Sequence, residues 1–542
     1  MLTSKIPLEL QLAIVGYLDP LDIFHLQLTC KHLYDLIEGS AEMVWRNCLN
    51  QHCLHNGLFW PSFAHLDTVA EYKHAATAPV RFSAAYHKAS KNNKMLEKKR
   101  TRLQFPAKYT TGSTILDIHL IPGGRFLATF SDSGTMDVWD LRAAPTLEMV
   151  LSMPLERFRG VAYSNVVDCD KVHILYELDL DIPAAYTATP LEDMAMTTHE
   201  FVELSFSIED HKFHAQSSGR FSLIHLSETQ IQAHSVIGDK IISLIDDVTI
   251  VWDHKRDVYA GWKLGGMSTP SEIFCNEEYI IYITNEGVQG ISFPEYVPVT
   301  NEFVTLASLA ETVRTPTFAI PFERPYELTR TDLVPNLAWG SDICVPVGSD
   351  RHFLFDIRQS SFTVTTSGDP LPPDADDEDD FEDTDLTGTL TIHRYALKYE
   401  PQSPPSSSLS LKSTTTHSWP KALDNYPQCY PAKYLSACYY QWCDGPQSTV
   451  TVWSDPGGYV AGWPDAGHSA VCMSLLDGKE RLKGGEVQIV PLVHPHEVVN
   501  ETFLVEKALC PATAKGVLMW AADPDSDEWE GPWEWFDLFE VV

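Results

Sequence analysis

From Tyr109 onward the chain consists of short apolar or alternating runs separated by Gly, Pro, Asn and Asp. This pattern is typical of many short antiparallel strands. The clearest unit covers residues 115–141, where turns at Pro122-Gly123-Gly124 and Asp132-Ser133-Gly134 separate three strand-like runs. The unit ends in Val138-Trp139-Asp140. The chain beyond residue 108 is therefore predicted to be all-β.

The ending of this unit returns three more times, as Val251-Trp252-Asp253, Phe353-Leu354-Phe355-Asp356 and, more weakly, Val452-Trp453-Ser454. Asp140 and Asp253 are 113 residues apart, and Asp253 and Asp356 are 103 residues apart. Each interval fits two loosely built units of a repeat with a period of about 40 to 45 residues. Further units are predicted to end near Leu175-Tyr176 and near Ile291-Ser292-Phe293.

The repeating unit resembles a WD-repeat blade, and this resemblance predicts a divergent WD-like β-propeller over residues 109–542. About seven blades are expected, with six to eight possible. The Gly-His dipeptide that is expected early in each WD-repeat blade is missing, and the spacing between the units varies along the chain. The sequence fits the Kelch repeat less well than the WD repeat, because its Gly-Gly pairs are not followed by Tyr and Trp at a regular spacing. Trp139, Trp252 and Trp453 are expected to pack between neighbouring blades.

The C-terminal residues 533–542 alternate aromatic or aliphatic side chains with Glu534, Asp537 and Glu540. This pattern predicts a strand with one wetter face. Such a strand would complete a blade begun near Tyr109, so that the sheet keeps no unpaired edge. An exposed acidic-aromatic peptide that binds a partner is the alternative interpretation.

Two segments do not fit the strand pattern. Residues 374–385 hold nine acids among twelve residues and no base, and residues 402–418 form a Pro/Ser/Thr tract. Neither can bury enough apolar surface to offset the entropy of ordering. Disordered insertions are therefore predicted near 367–387 and 399–418, the first as a loop that extends from a blade.

The first 50 residues have apolar positions at helical spacing, such as Leu8, Leu12 and Val15. Pro7, Asp19-Pro20 and Gly39 are placed where short helices begin or end. A small all-α domain is therefore expected over residues 1–50. Three helices this short cannot bury all their apolar faces, so a partner surface is also expected.

The residues of this segment, including Ile6-Pro7-Leu8, Tyr17-Leu18-Asp19-Pro20-Leu21-Asp22 and Trp45, resemble an F-box. The resemblance covers about 45 of the 542 residues. It departs at Ile6, where the family more often has Leu, and at Thr29, where Val is commoner. An ordinary helical subdomain with the same periodicity is the alternative.

The resemblance implies binding to the Skp-type adaptor of a cullin-based ubiquitin ligase (SCF). Carried over position by position, the adaptor-binding residues would be Pro7, Leu8, Ile14, Leu18, Leu21, Leu26, Leu28 and Leu33. The second domain of such proteins selects a protein substrate. The chain is therefore predicted to be a substrate-recognition subunit, with an F-box scaffold that lacks ligase activity as the alternative. Nothing in the sequence identifies the substrate or its binding residues.

Residues 51–108 keep a helical pattern and include a basic run from Lys88 to Lys108 that contrasts with the acidic remainder. A helical, partly basic linker is predicted here. Cys48, His52, Cys53 and His55 do not form a zinc site on this interpretation, because they would point to different faces of one helix.

With 39 Lys and Arg against 74 Asp and Glu, the formal net charge is −35. General adhesion to nucleic acids or anionic membranes needs a basic surface, so neither partner is expected. The sequence contains no run of about 18 to 20 apolar residues, so no membrane-spanning helix is predicted. Eleven irregularly spaced cysteines favour free thiols in the cytoplasm or nucleus.

Catalytic motifs are found only in incomplete form. The run His496-Glu497-Val498-Val499-Asn500 lacks the second His of a zinc-protease helix. The run Gly467-His468-Ser469-Ala470-Val471 lacks the final Gly of a nucleophile elbow. No catalytic residue, metal or cofactor is therefore expected, and a propeller hydrolase is the weakest of the three hypotheses.

Overall fold

The computed structural model describes most of the helices and strands but not every connection between them. The described residues are 6–92, 96, 98–106, 114–167, 169–182, 194–226, 231–237, 239–266, 272–275, 279–299, 303–323, 331–335, 345–347, 350–366, 384–398, 408–418, 438–442, 448–454, 471–476, 488–493, 502–510, 513–522 and 534–541.

Six helices form the N-terminal part of the molecule, here called the helical unit (residues 6–92). They are α1 (Leu8–Val15), α2 (Pro20–Thr29), α3 (Lys31–Gly39), α4 (Ala41–Asn56), α5 (Val69–Ala76) and α6 (Ala78–Lys91). Gly57 ends α4 in the left-handed conformation, with φ of 57°, which glycine adopts at little cost. Thr68 and Glu71 form a capping box that starts α5.

A seventh helix, α7 (Leu306–Ala310), lies among the strands that follow. The strands in chain order are β1 (Lys98–Arg102), β2 (Ile115–Leu120), β3 (Phe126–Ser131), β4 (Thr135–Asp140), β5 (Glu148–Pro154), β6 (Phe158–Val167), β7 (Lys171–Leu180), β8 (Met194–Ser207), β9 (Lys212–Leu226), β10 (Ile231–Ile237), β11 (Lys240–Ile245), β12 (Val248–Asp253), β13 (Val258–Leu264), β14 (Glu272–Cys275), β15 (Tyr279–Ile283), β16 (Gly287–Ser292), β17 (Val297–Pro298), β18 (Val304–Thr305), β19 (Val313–Arg314), β20 (Phe318–Pro321), β21 (Thr331–Pro335), β22 (Val345–Val347), β23 (Asp350–Thr366), β24 (Thr384–Lys398), β25 (Ser408–Ser418), β26 (Cys438–Trp442), β27 (Ser448–Ser454), β28 (Val471–Leu476), β29 (Gln488–Val493), β30 (Thr502–Cys510), β31 (Lys515–Ala522) and β32 (Glu534–Val541).

Within the described residues these strands make seven sheets, which we number as blades 1 to 7. Blades 1 to 4 are built on β2–β5, β6–β9, β10–β13 and β14–β16 with β20. Short strands extend two of them: β18 joins blade 2, and β17 and β19 join blade 3. Blade 5 contains β21–β25, blade 6 contains β26–β29, and blade 7 has the order β1-β32-β31-β30.

Neighbouring blades pack against one another around a common centre. Their first strands lie side by side: β2 contacts both β30 and β6, β6 contacts β10, and β10 contacts β14. Buried apolar clusters fill the spaces between successive blades from blade 7 through blade 1 to blade 5, as where Phe130 of blade 1 stacks on Phe158 of blade 2 at 5.0 Å. Radial sheets joined in this way are the architecture of a β-propeller, as the sequence predicts.

The predicted repeat endings occupy two different positions in the blades. Trp139 and Trp252 are the last residues but one of the third strands of blades 1 and 3 and are buried, and Trp252 stacks on Phe221 of blade 2 at 5.6 Å. Residues 353–356 and 452–454 lie instead on the second strands of blades 5 and 6. Residues 175 and 176 lie in the middle of a second strand, whereas Ser292 does end a third strand.

The prediction of a helical linker through residue 108 is wrong for Lys98–Arg102. These residues form β1, the outer strand of blade 7, and pair antiparallel with β32 from the C-terminus. Arg102 lies 3.6 Å from Asp537 across the pair. The C-terminal strand is confirmed from Glu534 onward, but its partner comes from the basic run rather than from residues after Tyr109.

The prediction of disorder is also wrong for parts of both insertions. Ser408–Ser418 form β25, which pairs along β24, and β24 itself begins at Thr384. Thr366 pairs with Thr384, so the acidic block up to residue 383 lies in the connection between two strands of blade 5. Residues 367–383 and 399–407 lie outside the described residues, as do residues 467–470 and 496–500 of the two incomplete catalytic motifs.

Candidate functional site

The first three helices expose apolar side chains on one side and bury others on the opposite side. Val15, Ile23 and Ile37 are buried and pack with Trp45 of α4. Phe24 lies 5.1 Å from Trp45, and the Lys73 ammonium group of α5 sits 4.7 Å above the Phe24 ring. The inner faces of these helices therefore pack against α4 and α5, and their outer side chains contact solvent.

The structure divides the eight predicted adaptor-binding residues into two groups. Five are exposed: Pro7, Leu8, Ile14, Leu21 and Leu28. The side chain of Leu28 is 83% exposed, and those of Leu8 and Ile14 are more than half exposed. Leu18, Leu26 and Leu33 are half-buried, and Leu18 and Leu26 pack against the buried cluster behind them. We call the five exposed residues the helical apolar surface.

Three further residues in this segment were absent from the predicted adaptor-binding set. Leu10, Tyr17 and Tyr34 are all at least half exposed, and Tyr17 reaches 77%. Tyr17 directly precedes the Leu18-Asp19-Pro20 element. Exposure of this many large apolar side chains on short helices is typical of an interaction site.

Local backbone geometry explains why these helices begin where they do. The carbonyl of Pro7 accepts hydrogen bonds from the amides of Leu10 and Gln11, each at 3.1 Å. Pro20 occupies the first turn of α2, and the Asp19 carbonyl accepts from the Ile23 amide at 3.0 Å. A proline in the first helical turn loses no hydrogen bond, because that amide has no partner inside the helix.

The cysteines near this surface are structural. Cys48 and Cys53 of α4 are buried, as are Cys169 and Cys510 of the propeller, and the Cys510 sulfur accepts a hydrogen bond from the Gly123 amide at 3.2 Å. Burial, together with the nearby Asp19 charge, raises the pKa of Cys48 to about 12. Burial also raises the pKa of Cys53 far above its usual range. These thiols stay protonated and are poor nucleophiles or metal ligands.

Among the described side chains, no group of three or more His, Cys, Asp or Glu is placed to hold a metal ion. No helix in the described part of the chain is long and apolar enough to cross a membrane.

The helical unit and the propeller share one hydrophobic core. Trp45, Cys53 and Phe63 belong to the same buried cluster as residues of blades 1 and 7, including Leu127 and Met519. The amide of Phe59 donates to the Pro122 carbonyl at 2.8 Å, and the amide of Trp60 donates to the Cys169 carbonyl at 2.6 Å. The helical unit is thus packed on the propeller rather than tethered to it.

Residues 59–63, here called the docked segment, meet one end of the propeller. Pro122 and Cys169 lie in the turns between the first and second strands of blades 1 and 2, and Thr513 lies in the corresponding turn of blade 7. The Arg125 guanidinium donates to the Pro61 carbonyl at 2.9 Å and so connects blade 1 to the same segment. The turns between second and third strands are at the opposite end.

Comparison with known proteins identifies the N-terminal part. Residues 3–51 match the family model described as F-box-like. No curated protein matches the chain. Among solved structures, the chain is similar to the N-terminal domain of Nup159, at 9% identity with a TM-score of 0.34, covering 82% of this chain and 94% of that one.

A second similar structure is the β-propeller domain of Cps50 (Swd1) from Myceliophteria thermophila, at 8% identity with a TM-score of 0.35, covering 82% of this chain and all of that one. The blade order and the packing between blades, rather than these distant likenesses, establish the fold of the described residues between 98 and 541. The chain therefore carries an F-box-like domain at its N-terminus, followed by a β-propeller.

Proposed function

We propose that this protein is the substrate-recognition subunit of an SCF-type ubiquitin ligase, working in the cytoplasm or nucleus. The observation that carries the proposal is the helical apolar surface, which lies within the residues that match the F-box-like family. Large apolar side chains that remain exposed on a folded domain gain stability when a partner covers them, at roughly 25 cal/mol per Å² of buried apolar surface. The Skp-type adaptor is the partner that the family implies, and cullin would be recruited through it.

The packing between the two domains supports a mechanism based on proximity. A substrate bound to the propeller is held at a fixed distance from the adaptor, because the helical unit shares a core with blades 1 and 7. Transfer of ubiquitin to a bound substrate then resembles an intramolecular reaction. The protein needs no catalytic residue for this role, since the chemistry belongs to the other subunits.

The adaptor interface is tested by replacing Pro7 and Leu8 with alanine in the full chain. Truncating an interface leucine costs about 2 to 5 kcal/mol in core-like settings, so the affinity for the adaptor should fall more than tenfold. Leu8 is 53% exposed, so the melting temperature should stay close to that of the wild type. Adaptor binding is measured by pull-down and calorimetry.

A matched control replaces Leu116 and Leu226, which are 45% and 58% exposed on the propeller. The double alanine variant at these positions should bind the adaptor normally. Wild-type adaptor affinity in the Pro7→Ala, Leu8→Ala variant would refute the assigned surface. Recovery of adaptor without cullin or ubiquitin would favour the alternative of an F-box scaffold.

A further inference from the structure

A cavity of about 340 Å³ lies where α5 and α6 meet blades 1 and 7. We call it the junction cavity. Its lining includes Ser62, His65, His74, Arg81, Arg142 and Lys515. The volume is at the small end of the range for ligand sites, about 300 to 1,000 Å³, so the cavity fits a small group rather than a protein surface.

The lining of the junction cavity is cationic, although the chain as a whole carries a net charge of −35. Four formal positive charges, from Arg81, Arg125, Arg142 and Lys515, face two carboxylates, Glu71 and Glu540. The Glu71 carboxylate is occupied by the capping box, where it accepts from the Thr68 amide at 2.9 Å. The positive charges of the lining therefore exceed its negative charges.

These cations differ in how far they are already paired. The guanidinium groups of Arg125 and Arg142 both bind Asp140, at 2.7 and 2.8 Å. Lys515 makes no salt bridge to a described carboxylate, although Glu540 lies opposite it across the strand pair. Arg81 donates from Nη2 to His74 Nε2 at 2.9 Å, while its buried Nε has no partner among the described residues. The Glu540 carboxylate also acts on Arg81, but neither Arg81 nor Lys515 makes a salt bridge to a described carboxylate, so both can still bind an anion.

A buried hydroxyl adds an independent indication of a ligand. Ser62 is 2% exposed and lines the junction cavity, yet its Oγ has no hydrogen-bond partner among the described residues. Gly123, with φ of +116°, leaves room for it, because a Cβ there would lie 2.5 Å from that oxygen. An unsatisfied buried hydroxyl costs about 1 to 3 kcal/mol, which a bound acceptor would recover.

The two histidines of the lining report the same electrostatic environment. Burial lowers the pKa of His65, and the charges of Arg125, Arg142 and Lys515 lower it further, against a smaller effect of Asp140. Burial likewise lowers the pKa of His74, and Arg81 and Lys515 act in the same direction while Glu540 opposes them. Burial disfavours a charge of either sign, so only the cationic part of these shifts, from the arginines and Lys515, favours an anion in the junction cavity.

We propose that the junction cavity binds the phosphoryl group of a small ligand, with Arg81 and Lys515 as the charged donors and Ser62 as the hydroxyl donor. The planar guanidinium group can donate two parallel hydrogen bonds to a phosphoryl group, and the ammonium group supplies a point charge. The group has two possible sources: a free phosphorylated small molecule or a phosphorylated side chain. Binding of either ligand is independent of adaptor binding, so a failure of one proposal would leave the other unaffected.

Occupation of the junction cavity stabilises the contact between the helical unit and the propeller. Arg81 belongs to α6 and Ser62 to the docked segment, whereas Lys515 begins β31 of blade 7. A ligand that bridges these elements binds the docked arrangement and not the unfolded chain. It therefore raises the melting temperature in a concentration-dependent way.

The experiment uses the full chain with inorganic phosphate, N-acetyl-phosphoserine amide and N-acetyl-serine amide as probes. Binding is measured by calorimetry and by the shift in melting temperature at constant ionic strength. Both phosphorylated probes should bind and the serine amide should not. A higher affinity for the phosphoserine amide assigns the cavity to a phosphorylated side chain, and a higher affinity for inorganic phosphate assigns it to a free small molecule.

The variant Arg81→Gln, Lys515→Gln should weaken phosphate binding by about tenfold or more. Its matched control, Lys255→Gln, Arg256→Gln, removes the same charge from exposed positions of blade 3 and should bind as the wild type does. Ser62→Ala removes a hydroxyl without a described partner and should fold normally but bind several-fold more weakly. Equal phosphate responses in the wild type and in Ser62→Ala, or in the wild type and in the Arg81→Gln, Lys515→Gln variant, would overturn the proposal.

Discussion

Arg125 and Asp140 form a buried ion pair at the contact between blade 1 and the helical unit. The two side chains are 4% and 2% exposed, and the guanidinium binds both carboxylate oxygens. Burial by itself raises the pKa of Asp140. The hydrogen bonds from Arg125 and from the Arg142 amide, with both guanidinium charges, outweigh it and leave the pKa below its usual value.

The first stability prediction follows from this pair. Asp140→Asn leaves the Arg125 charge buried without a counterion, so the free energy of unfolding should fall by about 3 kcal/mol. Denaturant titration at pH 7 measures this loss in the free energy of unfolding. Asp257→Asn, at an exposed turn of blade 3, removes a carboxylate without this effect and is the control. A loss below about 0.5 kcal/mol in Asp140→Asn, the range of ordinary surface substitutions, would contradict the assignment.

The same pair fixes a pH dependence. The pKa of Asp140 is lower in the folded protein than in the unfolded chain. Its contribution to the free energy of unfolding is therefore fully present above the unfolded pKa of about 3.9, and it is lost as the pH falls through the folded pKa. The difference in stability between the wild type and Asp140→Asn should therefore be constant from about pH 5 to pH 8. It should shrink below about pH 4.

At the scale of single elements, β32 is the strand that connects the two ends of the propeller segment. It lies between β31 and β1, and Phe536, Phe539 and Val541 are buried. Phe536 also contacts Phe105 at 4.8 Å, and Arg102 lies 5.0 Å from the Trp535 ring. The peptide is therefore a structural strand, and the alternative of an exposed binding peptide does not apply to residues 534–541.

Deleting residues 534–542 should cause aggregation rather than a mild loss of stability. The deletion leaves β31 and β1 with unpaired edges and exposes the apolar surface that Phe536 and Phe539 cover. Soluble yield and limited proteolysis of the truncated chain measure the effect. Glu534→Gln, a conservative change at the start of the strand, should behave like the wild type. A soluble truncation that melts cooperatively would show that the strand is dispensable.

The sequence predicted this strand but not its partner, and the reason is physical. Residues 98–102 read KKRTR, which has no apolar alternation, so only the distant acidic strand makes an extended conformation favourable. Ser408–Ser418 was missed for a related reason: its pairing with β24, and the packing of Leu409 against a cluster containing Tyr395, depend on residues outside the tract. Local propensity carries no information about either contact.

The helical apolar surface was easier to predict from the sequence than these strands. Leu8, Ile14 and Leu28 are exposed because the apolar positions of three short helices exceed what Trp45 and its neighbours can cover. The junction cavity was not predictable, because Ser62, Arg81 and Lys515 come together only when the helical unit docks on blade 7. No spacing of these residues in the chain signals a shared site.

At the scale of the whole molecule, the functional question is whether the helical unit moves relative to the propeller. Phe59 is fully buried and stacks on Phe213 of blade 2 at 5.7 Å, with Phe126 of blade 1 at 6.0 Å. The segment that follows α4 is thus inserted between two blades. A linker that allowed free rotation would instead leave these groups exposed to water.

The last prediction uses hydrogen exchange in the full chain. The Phe59 and Trp60 amides bond to carbonyls of the propeller turns, so a peptide covering residues 57–63 should exchange as slowly as peptides from β3 and β7. A peptide covering α1, whose outer face is exposed, should exchange faster and serves as the internal reference. Phe59→Ala should accelerate exchange in residues 57–63 and leave the strands of blade 5 unchanged, because these are distant from the cavity that the substitution creates. Exchange of residues 57–63 within seconds in the wild type would show a flexible tether, and the proposed transfer of ubiquitin to a bound substrate would then depend on linker length rather than on a fixed geometry.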